Sequence, residues 1–109
     1  MSNQRALEQI SETVGQIANL LERYKVKFWA ATFKETHEKL ERAITNGWEH
    51  DISTAIRTMR SWYGGMGSFN DLIISNLNRD EIAEQEETSA NKKLQDLSSK
   101  LYSELEAVG

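Results

Sequence analysis

Apolar residues three and four positions apart recur along almost the whole of this 109-residue chain, and no proline interrupts them. That spacing gathers side chains on one face of a 3.6-residue helix, and proline is the residue most able to end one. The pattern predicts an all-α protein. In the first segment Leu7, Ile10, Val14, Ile17, Leu21 and Tyr24 form one apolar stripe on a helix from about Asn3 to Tyr24, with Ser2 or Asn3 as its cap. Gly15 falls inside that helix at a cost of roughly 1 kcal/mol against alanine, which marks it as a point of close approach.

After the short basic joint "RYKVK", a second stripe runs through Val26, Trp29, Phe33, Leu40 and Ile44. Asn46-Gly47 ends that helix, because glycine readily takes the left-handed conformation after a last turn. Asp51 or Asn46 is expected to start the third helix, which buries Ile52, Ala55, Ile56, Met59 and Trp62 or Tyr63. In "RSWYGGMGSFNDLII", three of the six glycines then fall within four residues. Gly64, Gly65 and Gly67 predict a tight corner, and Ser68 with Asp71 three residues on predicts the start of a short fourth helix to about Asn78. The final segment carries Ile82, Glu86, Ala90, Leu94, Leu97, Leu101, Leu105 and Val108 in register. Its first half, "EIAEQEETSANKK", is either a loop or an exposed helix that joins the core only near Leu94. The expected fold is one domain over residues 1–109: an all-α bundle of four to five helices with a glycine-rich corner between helices 3 and 4.

Charge narrows the partners. The net charge is −4, with nine acids and nine bases through residue 78 and eight acids against four bases beyond it. Without a concentrated basic face, nucleic acid is not an expected partner. No apolar run approaches the ~20 residues that span a bilayer, so no membrane role is expected. "MSNQRALEQI" has no signal-peptide pattern, and with no cysteine the expected compartment is the cytoplasm.

Catalytic and metal patterns fail on spacing. His37 and Glu41 share a helix face, but neither E-x-x-H nor H-E-x-x-H is present: Lys34 and Gly47 stand three residues before the two histidines, and position 41 is Glu. His37 therefore reads as a structural histidine beside the stripe, and no metal or cofactor is expected. His50-Asp51 lacks a serine on a strand-to-helix elbow. "GGMGS" lacks the lysine of a phosphate loop and the preceding strand of a dinucleotide fold. Arg57 and Arg60 lie one turn apart before the corner. They suggest either an Arg60–Asp71 pair holding the turn or an anion clamp with the 67–70 amides.

The central motif, "YGGMGSFNDLII", with "FWAATFKE" upstream and "ANKKLQDLSSKLYSEL" downstream, resembles a family of small bacterial proteins of unassigned function. Its members share a G-G-M-G-S-[FL]-N-D-L core, an upstream Trp-Ala and a downstream Asn–Leu–Leu–Tyr helix. Gly64, Gly65, Met66, Gly67, Ser68, Asn70, Asp71 and Leu72 carry the match, with Trp29, Ala30, Asn91, Leu94, Leu97 and Tyr102. The resemblance covers about Tyr24 to Tyr102 and implies a shared fold without a known activity. It departs at "SNLNRDEIAEQEE", where relatives carry a glycine turn.

Eight of the nine aromatics lie between Tyr24 and Phe69. Adjacent helix positions point about 100° apart, so one of Phe28/Trp29 and one of Trp62/Tyr63, together with Trp48, is expected to stay partly exposed. Exposed aromatics with arginine are the composition of protein interfaces. The expected function is thus a non-catalytic protein–protein interaction domain, either a small inhibitor of immunity type or a homodimer. The rival is a small-ligand or anion-binding domain, catalytic or not, that uses Arg57, Arg60 and the Gly64–Ser68 loop.

Overall fold

The computed structural model describes residues 4–63 and 84–108. Among these there are four helices and no strand: α1 (Gln4–Arg23), α2 (Lys27–Asn46), α3 (Glu49–Ser61) and α4 (Glu84–Val108). The corner Gly64–Ser68, Asp71 and the short helix expected after them lie outside the described residues.

The helices form an elongated bundle of 47 × 22 × 22 Å. Its core follows the stripes except on α3, at the side of the bundle, where Met59 is buried while Ile52, Ala55 and Ile56 are half-buried. Ile10, Val14, Ile17 and Leu21 of α1 meet Phe33 and Leu40 of α2, Met59 of α3, and Leu94, Leu101 and Leu105 of α4. Cross-helix contacts set the directions. Ser11 of α1 bonds Glu41 of α2, while Gly15 faces His37, so these two helices are antiparallel. Trp62 near the end of α3 packs on Phe33 and Trp29 near the start of α2. Tyr24, just past α1, bonds Glu86 at the start of α4.

The two hairpin turns are built alike. After α1, Val26 N–H bonds Leu21 O at 2.9 Å and Lys25 N–H bonds Glu22 O at 3.0 Å. After α2, Trp48 N–H bonds Ala43 O at 2.9 Å and Gly47 N–H bonds Ile44 O at 3.3 Å. Each is the paired bond pattern that closes a helix through one left-handed residue. That residue is Gly47 (φ 69°) in the second turn, as expected, but Lys25 (φ 55°) in the first.

Two boundaries differ from the sequence expectation. The third helix starts on Trp48, with no side-chain capping bond. Asn46 spends its amide on Arg42 O at 2.8 Å, and Asp51 lies inside the first turn, where with Glu49 it complements the helix dipole. The turn's own bond from Trp48 N–H fixes the entry, so no cap is called on. The stretch "EQEETSANKK" from Glu84 is helix and not loop, and the helix joins the core by Ala90, one turn before Leu94.

Glu86 stands in an apolar register for a reason. It accepts a 2.9 Å bond from the Tyr24 hydroxyl and lies 3.8 Å from Arg23. Burial pushes the Tyr24 pKa above its usual value, and the Glu86 carboxylate adds to the shift.

Candidate functional site

The aromatics of α2 and α3 divide into a wedge and an exposed pair. Trp62 packs against α2, its ring 4.7 Å from Phe33 and 5.8 Å from Trp29 between centroids. Tyr63 turns the other way, toward α4. Its hydroxyl donates to Ser98 O at 2.8 Å, and its ring meets Tyr102 edge-on at 5.2 Å. Burial pushes the Tyr63 pKa up to about 12 despite the Ser98 bond. The expectation of partial exposure at this pair is met by both rings, each half-buried, because the end of α3 is flanked by two helices and each covers part of one ring. For Phe28 and Trp29 the division is sharper. Trp29 is half-buried, while Phe28 is 73% exposed and Trp48 is 48% exposed.

Trp48 walls one groove, and Phe28 lies one turn before Thr32 of its lining. Positions 28, 32, 35, 39 and 42 fall on one face of α2 at helical spacing. This face and α3 enclose a cavity of about 560 Å³, walled by Trp48 and Trp62. Threonines and Ala55 make up most of the remaining lining, with no large aliphatic side chain among them. The charged lining residues are Glu35 and Asp51 against Lys39 and Arg42, a neutral set. Lys39 pairs with Glu35 at 3.5 Å. Thr32, Thr36, Thr54 and Thr58 were not legible as a site from spacing alone. The available signal was a polar stripe on α2 that begins with a phenylalanine.

Arg57 and Arg60 are both exposed on α3, and the Arg60 guanidinium lies 3.1 Å from Glu106 of α4. Its observed partner is thus a residue the sequence reading did not consider. Asp71 and the Gly64, Gly65, Gly67 and Ser68 loop lie outside the described residues.

A second groove, of about 520 Å³, runs between α1 and α2 above Gly15 and includes Lys25, Lys34 and His37. Beside it Ser11 donates to Glu41, whose Oε2 is 4.0 Å from His37 Nε2. Nucleophile activation needs the imidazole on the hydroxyl, with the carboxylate behind it. Here the carboxylate sits in the middle and Ser11 is fully buried, so the set fastens α1 to α2. Among the described residues no three His, Cys, Asp or Glu side chains group as a metal site, and no helix is long and apolar enough to cross a membrane.

No curated protein and no solved structure matches the chain. A family model does, over residues 22–83, a stretch that runs from the end of α1 through α2 and α3 and includes the sequence Gly64–Ser68. With more than half of its length matched, the chain belongs to the family described as "Domain of unknown function (DUF6966)".

Proposed function

We propose that this chain is a non-catalytic protein–protein interaction domain whose working surface is the outer face of α2 and α3. The observation that supports this most is the exposure of two large aromatics on this face, Trp48 in the groove wall and Phe28 one turn before Thr32 of its lining. Large aromatic side chains left in water cost solvation free energy, and on covering they supply the anchors that dominate interface energetics. The polar, neutral lining supplies the rim chemistry that aligns a partner. A cytoplasmic setting belongs to the same proposal and suits a chain with no cysteine to oxidise. The alternative, an anion clamp of Arg57, Arg60 and the Gly64–Ser68 segment, would have to draw Arg60 away from Glu106, 3.1 Å distant.

The test is photo-crosslinking in the cells that make the protein. A benzophenone side chain replaces Phe28 or Trp48, with exposed Lys100 on α4 as the control position. Discrete protein adducts at both aromatic positions and none at Lys100 are expected. Adducts no stronger at 28 and 48 than at Lys100 overturn the proposal.

A further inference from the structure

We infer that the occupant of the α2–α3 face is a second copy of this chain, paired about a two-fold axis that sets the two α2 helices antiparallel. The inference rests on the reading of this face as an interface, and adds its occupant.

The spacing along α2 carries it. In an antiparallel pair, residues equidistant from the axis face each other. Glu35 and Arg42, both exposed on α2, lie equally far from a point between residues 38 and 39, while Phe28 in the first turn and Trp48 just past the helix lie at its opposite ends. One axis at that point therefore sets Glu35 against Arg42 of the second copy, does so twice, and brings the Phe28 end of each α2 toward the Trp48 end of the other. A parallel pair would instead set Glu35 on Glu35 and Arg42 on Arg42. Lys39 lies next to the axis in both copies, and its charge is already met by Glu35 at 3.5 Å. On α3, Thr54, Ala55 and Thr58 of the lining bring no charge. A neutral face of two acids and two bases disfavours a strongly charged partner and is complementary to its own reversed image.

Size sets the strength. Phe28 to Asn46 spans about 27 Å of helix, and two helix widths of about 10 Å give roughly 540 Å² per copy. That lies at the low end for specific interfaces, the range of transient pairs, and a micromolar Kd is the expectation the experiment checks.

The experiment is sedimentation equilibrium of the full chain, of Glu35→Arg and Arg42→Glu separately, and of their equimolar mixture. Both substitutions are on the exposed side of α2, and unchanged circular dichroism melting confirms that each variant folds. The wild type is expected to dimerise with a micromolar Kd. Each single variant loses roughly tenfold or more, because like charges then face across the axis. The mixture regains a one-to-one heterodimer, since the two arginines of the Glu35→Arg chain then face the two glutamates of the Arg42→Glu chain. A wild type monomeric up to several hundred micromolar, or a mixture no tighter than its components, overturns the inference. A monomeric wild type that still crosslinks through Phe28 and Trp48 to a different protein removes the second copy and leaves the interaction reading intact. A monomer that gives no adduct removes both.

Discussion

The His37 ring lies over the backbone of Gly15 so closely that a β-carbon at position 15 would stand 3.1 Å from Nε2. The contact is with the tip of a side chain that is one-third exposed, so the ring has room to give by a few tenths of an ångström. Gly15→Ala is therefore expected to stabilise the fold by about 0.5 kcal/mol, helix propensity outweighing the contact. Gly15→Leu, which displaces the ring outright, is expected to cost more than about 1 kcal/mol. Urea denaturation checks both signs, and a loss of more than about 1 kcal/mol for Gly15→Ala contradicts them.

The left-handed residues of the two turns offer a matched pair. Lys25 adopts φ 55° with a β-carbon present, and Gly47 adopts φ 69° without one. Lys25→Gly is expected to gain about 0.5–1 kcal/mol and Gly47→Ala to lose about 1 kcal/mol. Thermal melts of the two variants should move in opposite directions. Movement in the same direction would show that the turns are not held by this geometry.

Stability should fall in alkali. The Tyr63 pKa is raised to about 12 from the ordinary value of 10.0, so the native state holds its proton where the unfolded chain has released it. The unfolded state then binds fewer protons, and stability drops as pH rises from about 10 to 12, while below 10 it is unaffected. The loss amounts to about 2 kcal/mol for this group. Tyr24, also raised, adds a loss of the same sign. Tyr63→Phe is expected to be less stable at neutral pH, having no hydroxyl for Ser98 O, and to show a shallower alkaline decline. An equally steep decline in the variant assigns the effect elsewhere.

Arg60 and Glu106 form an ion pair between half-exposed side chains. Such pairs contribute about 0.2–1 kcal/mol. A double-mutant cycle of Arg60→Ala and Glu106→Ala is expected to give a coupling energy in that range, reduced by salt. A coupling above about 2 kcal/mol would mean that Arg60 has a more demanding task than closing α3 on α4.

Much of the bundle was legible because burial and helical period coincide: Ile10, Val14, Ile17 and Leu21 are all fully buried, as their spacing requires. What escaped the reading depends on partners remote in sequence. Glu86 looks misplaced until Tyr24, sixty-two residues earlier, is set against it. Ser11 gives no hint that Glu41 lies across the helix pair. The start of α3 was missed because cap rules look for a side-chain oxygen, whereas the turn through Gly47 fixes Trp48 by backbone bonds alone. Of the candidate site, the exposed Trp48 followed from its place after a glycine, but its groove arises only when α2 and α3 lie side by side.

Hydroxyl-radical footprinting tests the interaction face most directly, because Tyr102, as exposed as Trp48 and on α4, serves as an internal standard. Oxidation of Phe28 and Trp48 relative to Tyr102 is compared between intact cells and dilute purified protein. At least a several-fold protection of both residues in cells is the expected result, and equal oxidation in the two settings contradicts the central claim.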